Sequence, residues 1–209
     1  MKEISMDFFR DEVRNGFFIP TAVKQAWAAQ LQVLDVIETI CRKHDITYFA
    51  DWGTILGTVR HGGYVPWDDD MDICMKREDY TRFKEAAKTE LPKDFRIHDY
   101  EHQEDHWLFL SRVANSVHIN FEPEHMKQFH NFPYIAGIDI FVLDYLYKDE
   151  QQEKQRCEEV KHIIAVADSI IAGEIAQPVK EANLIQLEQK YHKTFNRKLD
   201  NRHMGIELY

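Results

Sequence analysis

The chain has 209 residues, enough for one well-cored domain with a helical extension, and its 44% hydrophobic content excludes a disordered polymer. A net charge of −10, from 26 Lys and Arg against 36 Asp and Glu, argues against a non-specific nucleic-acid groove, which must neutralise phosphates with cations. Small acidic ligands can still be held through metal ions.

In chain order, residues 1–20 mix charge with Phe8, Phe9, Phe17 and Phe18 and stop at Pro20. They read as a lead-in that packs aromatics on the core. From Thr21, taken as an N-cap, Val23, Trp27, Leu31, Leu34, Ile37 and Cys41 recur at helical spacing and predict an amphipathic helix whose stripe is core. Residues 46–50, Ile-Thr-Tyr-Phe-Ala, predict a short buried strand that runs into Asp51-Trp52-Gly53-Thr54 and a new helix at Ile55. Such a junction points backbone N–H groups at one spot, where an anion can sit. The plainer alternative is that Gly53 and Gly57 only permit a tight turn and close helix packing.

Gly62-Gly63 ends that helix, and Pro66 closes the loop leading to Trp67 and the run Asp68-Asp69-Asp70-Met71-Asp72-Ile73-Cys74-Met75. Alternation from Asp70 predicts a strand with Asp70 and Asp72 on one face, about 6.6–6.8 Å apart. Carboxylates that close repel unless a cation neutralises them, so a metal site is the natural inference. An EF-hand loop starting at Asp68 needs Gly at 73 and Glu at 79, where the chain has Ile73 and Asp79. Asp68 and Asp69 read as loop carboxylates.

Residues 77–91 predict a helix, and residues 95–98, 107–110 and 117–121 predict strands, with a turn at Asn115-Ser116. Arg112 reads as a surface residue or a phosphate contact. Residues 135–144 form a strongly apolar strand interrupted by Asp139, whose burial calls for a metal or a proton-transfer role. Helices are expected over 150–174 and 179–199, separated by Gln177-Pro178. His102 and His106 lack a third zinc ligand and read as surface residues.

Cys41, Cys74 and Cys157 have no Cys-x-x-Cys spacing and read as thiols in a reducing compartment. The N-terminus lacks the order of a secretory signal. The longest apolar run, 162–173, is broken by Asp168 and falls short of the roughly 20 residues of a bilayer span. A cytoplasmic protein is expected, with peripheral association at the inner face of the membrane left open.

Four blocks in order, residues 41–48, Gly53–Gly63, Pro66–Ile73 and Arg77–Tyr80, resemble the LicD family of phosphotransferases within the nucleotidyltransferase-fold superfamily, and residues 137–141 resemble its later Ile-Asp-Ile-Phe block. The resemblance covers roughly residues 31–145. Where the family pattern usually has a second glycine before Gly-Thr, this chain has Trp52. The resemblance implies an α+β fold, a mixed sheet flanked by helices, with a catalytic core over 1–148 and a helical extension over 149–209 in the same globular unit. It implies Mg²⁺ or Mn²⁺ held by Asp70, Asp72 and Asp139, with Asp139 as ligand or general base. Gly53, Thr54 and Arg60 are the implied phosphate-binding residues. The implied reaction moves phosphocholine, or a related phospho-alcohol, from a CDP-linked donor to a hydroxyl of a cell-surface glycan such as a teichoic acid or lipopolysaccharide precursor. The alternatives are a nucleotidyltransferase that adds NMP to a small molecule or protein, and a non-catalytic nucleotide-binding module of the same fold.

Overall fold

The protein is described by a computed structural model covering residues 4–99 and 109–209. It is an α+β molecule that falls into two compact units. One comprises the chain through Asp99 together with Leu110–Asp144, and the other comprises Tyr145–Tyr209 with Phe109.

The first unit opens with a 3₁₀ turn and a two-stranded hairpin, β1 (Glu12–Arg14) and β2 (Phe17–Ile19). Helix α1 (Thr21–Lys43) follows. Its cap is Pro20 and not Thr21, because the Thr21 N–H donates to Asp11 Oδ1 at 2.6 Å and its hydroxyl donates to Phe9 O at 2.7 Å. A five-stranded mixed sheet is ordered β3-β4-β7-β6-β5. Its members are β3 (Phe49–Ala50), β4 (Asp72–Lys76), β5 (Arg96–His98), β6 (Leu110–Ala114) and β7 (Gly137–Leu143). Central β4 and β7 run parallel, and the outer pairings are antiparallel.

Period-2 alternation divides this sheet into two faces. Ile73, Met75, Val113, Ile138 and Ile140 are buried in one core with Val33 and Ile37 of α1 and with Tyr80 and Phe83 of α3 (Arg77–Glu90). The opposite face carries Asp72, Asp139 and Arg112 in one cross-strand row and Phe49, Cys74 and Phe141 in the next. A soluble sheet normally fills both faces with apolar residues or leaves one evenly polar. Here one face is core and the other is chemically patterned.

Several boundaries differ from the sequence expectation. Helix α2 spans Trp52–His61, so Gly53 and Thr54 lie in its first turn and not in a turn before it. The strand expected over 107–110 is β6 at Leu110–Ala114, with residues 107 and 108 outside the described residues, as are His102 and His106. No strand forms over 117–121. Asn115 ends the β6–β7 ladder by accepting from Ala136 N through Oδ1 at 2.9 Å and donating its N–H to Ala136 O at 3.0 Å. The chain then leaves the sheet, with Val117, Ile119 and Phe121 exposed, and enters the short helix α4 (Pro123–Gln128).

The second unit holds α5 (Glu150–Ile171), α6 (Gln177–Tyr191) and α7 (Asn201–Leu208) around Ala167, Ile170, Leu184 and Met204. Pro178 lies in the first turn of α6, where its missing N–H would have had no helical partner anyway. Cys41 and Cys74 are buried free thiols, and Cys157 is a half-buried one. Among the described residues no helix is long and apolar enough to cross a membrane.

Candidate active site

The acidic run is held in place by side chains reaching from three elements. Trp27 of α1 donates its indole N–H to Asp68 O at 2.9 Å, and Gln30, one helical turn on, donates to Asp69 O at 2.7 Å. Tyr64 stacks on Trp27 with ring centroids 4.7 Å apart and donates its hydroxyl to Gln30 Oε1. At the far end of the run, Met71 O accepts from Asp139 N at 3.1 Å, and Asp72 N donates to the Thr54 hydroxyl oxygen at 2.8 Å. The bond to Met71 O is the first of the β4–β7 ladder, so β4 begins at Asp72, and the Trp27 and Gln30 bonds tie down the loop before it. Asp70 therefore sits in the preceding loop and is not on the strand with Asp72 as its spacing suggested.

This loop gathers carboxylates. Asp68, Asp69 and Asp70 can each bring one oxygen within 4.8 Å of the others. Asp68 is half-buried, and its carboxyl is pushed above the usual range by burial and then by Asp70, to which it is hydrogen-bonded. It is a member of the cluster rather than a bystander in the loop. Asp72 is only 9% exposed. Burial first, then Asp70, Asp139, Asp68 and Asp51, push its carboxyl up to about 6. Carboxylates crowd here around the raised carboxyls of Asp68 and Asp72, and hard oxygen donors of this kind suit Mg²⁺ or Mn²⁺.

Asp139 stands in register beside Asp72 on parallel β7. Its two oxygens are taken by Arg112, from Nε at 2.5 Å and from the terminal nitrogen Nη2 at 2.8 Å. Arg112 faces Asp139 in the β6–β7 register, and Gly137 makes room for it, since a Cβ there would lie 2.9 Å from Arg112 Cδ. Arg112 is exposed, as expected of a surface residue, and its Nε and Nη2 are engaged by Asp139. It is the cation that compensates Asp139, whose two oxygens keep further lone pairs beside the fork.

Helix α2 is capped by Asp51, whose Oδ1 accepts from Trp52 N at 2.9 Å. Trp52 itself has φ +42°, a left-handed backbone that L side chains rarely adopt. Glycine adopts such a backbone without steric cost. The exposed Trp52 ring lies 5.8 Å from Phe141 at an interplanar angle of 55°. A Cβ on Gly53 would collide with Asp68 Oδ2, so only glycine lets this carboxylate lie against the helix start. Beside it is a cavity of about 580 Å³ with Gly53, Thr54, Asp68 and Asp70 on one wall and Trp27 and Tyr48 among its apolar lining. That volume is in the range of small-molecule sites, about 300–1,000 Å³. Arg60 lies seven residues along α2, roughly 10 Å from Gly53. It stacks over Trp67 at 5.7 Å and donates from Nε to His61 Nε2, so it is not part of the carboxylate cluster.

The structure therefore brings together Asp70, Asp72, Asp139, Gly53 and Thr54, and it leaves Arg60 apart. It adds Asp51, Asp68 and Arg112, together with Trp27 and Gln30 as positioning residues. The helical stripe placed Trp27 in the core, and nothing in its spacing marked the indole N–H that holds Asp68.

Comparison with known proteins places the chain in a family. Residues 45–165 match the family described as LicD/FKTN/FKRP, nucleotidyltransferase domain. The lipopolysaccharide cholinephosphotransferase LicD of Haemophilus influenzae is 43% identical over 53 residues, which are 25% of this chain and 20% of that protein. An uncharacterized protein of Rickettsia typhi is 39% identical over 54 residues, 26% of this chain and 18% of its own length. One from Rickettsia prowazekii is 42% identical over 48 residues, 23% and 18% respectively. The matched segments thus span about a fifth of the length of these curated relatives. Because the family match covers more than half of the chain and contains the whole carboxylate cluster, this protein belongs to the LicD/FKTN/FKRP family through its nucleotidyltransferase domain.

Proposed function

We propose that the protein transfers phosphocholine, or a related phospho-alcohol, from a CDP-linked donor to a hydroxyl of a cell-surface glycan, with release of CMP. The observation that carries this reading is the set of carboxylates, Asp68, Asp70 and Asp72, crowded beside a small-molecule-sized cavity and the start of α2. A divalent cation held by these residues would neutralise the donor pyrophosphate and the charge developing on the leaving CMP. Asp70 and Asp72 would be its principal ligands, with Asp68, packed against Gly53, supporting Asp70. The first turn of α2 offers backbone N–H groups to phosphate, and the Thr54 hydroxyl, which accepts from Asp72 N, still has its own proton to donate.

Asp139 is the base in this reading. Donor phosphate competes for the Arg112 fork, Asp139 is released, and its carboxylate takes the proton of the attacking hydroxyl. A new O–P bond forms to the acceptor as the P–O bond to CMP breaks.

The test is product analysis with purified protein, CDP-choline, Mg²⁺ and a glycan acceptor. CMP should appear in step with phosphocholine on the glycan, and Asp70→Asn should lower the rate by about 10²-fold or more, the scale on which single charge-stabilising groups act. Pyrophosphate release from an NTP, with no CMP from CDP-choline, would reassign the same carboxylates to nucleotidyl transfer.

A further inference from the structure

We propose that the first unit carries a second binding pocket, for a saccharide or polyol unit, beneath the segment that links β6 to α4. A cavity of about 530 Å³ lies there, lined by Asp94, Asn115, Glu122, Glu124, His125 and Phe129 among others. Asn115 leaves β6 with the parity of core residue Val113 and not of Arg112, so the pocket is separate from the carboxylate site.

Two orphaned polar atoms identify it. Asn115 is 0% exposed and His125 8%, yet Asn115 Nδ2 and His125 Nε2 have no hydrogen-bond partner among the described residues. A buried polar group left unmatched is costly, so two such groups on residues that line one cavity are poised for a ligand. The Asn115 orientation is fixed independently, because Oδ1 accepts from Ala136 N at 2.9 Å and Nδ2 must point away from that bond.

The lining selects the ligand class. Among the described residues it contains Asp94, Glu122 and Glu124 and no Lys or Arg, which disfavours phosphates and nucleotides. An ammonium could satisfy the carboxylates but could not accept from the Asn115 amide. A hydroxyl does both, and a ring bearing several hydroxyls would engage the amide, the imidazole and the carboxylates at once. Among the described residues no metal-type grouping of ligand atoms occurs here. Phe95 and Phe129, with centroids 6.2 Å apart, and His125, 4.6 Å from Phe129, supply the apolar wall that the C–H face of a sugar needs. Binding stands by itself; the idea that the bound unit belongs to the acceptor glycan rests on the transfer reaction proposed above.

The experiment is NMR titration of the full chain with glucose, galactose, N-acetylgalactosamine, ribitol and glycerol at millimolar concentration, following the His125 ring resonances. At least one probe should shift them. His125→Phe, which fills the pocket and removes Nε2, should weaken that binding at least tenfold while leaving the thermal stabilisation by CDP-choline with Mg²⁺ unchanged. If that variant does not fold, Glu124→Gln at the exposed rim should weaken binding about threefold. The absence of any shift at His125 with all five probes, or undiminished affinity in the folded variants, overturns the pocket. Loss of the CDP-choline response with sugar binding intact would strike the transfer reading and leave this one standing.

Discussion

At Trp52 the backbone enters the left-handed region at φ +42°, which costs an L residue about 1–2 kcal/mol. Glycine has no such cost, so the usual preference for alanine over glycine in helices, about 0.5–1 kcal/mol, should invert here. Both substitutions lose the same contact with Phe141. Urea denaturation should therefore find Trp52→Gly more stable than Trp52→Ala by about 1 kcal/mol; the ordinary order would mean that the backbone strain is absent. Asp72 stores a different kind of strain. Its carboxyl titrates at about 6 in the folded chain against 3.8 for the ordinary group, so the folded state binds that proton more tightly than the unfolded state does. The destabilisation is in full force above pH 6 and is relieved as pH falls from 6 towards 3.8. Asp72→Asn should accordingly melt higher than the parent at pH 7.5, and the gap should narrow by pH 5, while transfer is lost. A lower melting temperature at pH 7.5 would show that the acidic cluster does not oppose folding.

Among the elements, α2 is inverted. Trp52, Ile55, Leu56 and Val59 recur at helical spacing on one face and are all exposed, Val59 to 81%, whereas Gly53, Thr54 and Thr58 line the cavity. A helix ordered by burial of its apolar stripe would face the other way. The small and hydroxyl-bearing face is turned inward because the carboxylate loop must approach it, as the contact between Gly53 and Asp68 requires. The β6–β7 pair positions the other half of the site. Arg112→Lys keeps the charge but not the two-pronged fork onto Asp139, so transfer should fall about tenfold or more in the CMP-release assay. Unchanged turnover would reduce the pair to an exposed ion pair of little consequence. The sequence marked Asp139 by its placement inside an apolar strand. It gave Arg112 no such mark, because the partnership depends on which strand lies beside β7 and in what register.

For the molecule as a whole, local pattern was enough wherever one element's own chemistry decided the outcome. The apolar stripe specified α1, the β-branched run specified β7, and the blocks from Gly53 to Asp72 carried the family and its α+β fold. Pattern misled where an element's end is set by a partner elsewhere. Asp70 continues the alternation of β4, but the ladder with β7 starts at Asp72, and Trp27 and Gln30 tie the carbonyls of Asp68 and Asp69 into a loop. Residues 117–121 look like a strand, but Asn115 closes the ladder before them. Pro178 looked like a separator and opens α6 instead, and α7 follows an Asp200 cap that the sequence reading did not single out. By itself the sequence determined the chemical inventory, namely acids, a glycine turn and their order along the chain, since these are properties of single residues and short periods. Only the tertiary structure decided which acids share a space, that Arg112 holds Asp139, and that Asn115 and His125 line one cavity. Such pairings arise from strand register and helix packing between residues far apart in the chain, and no local period encodes them.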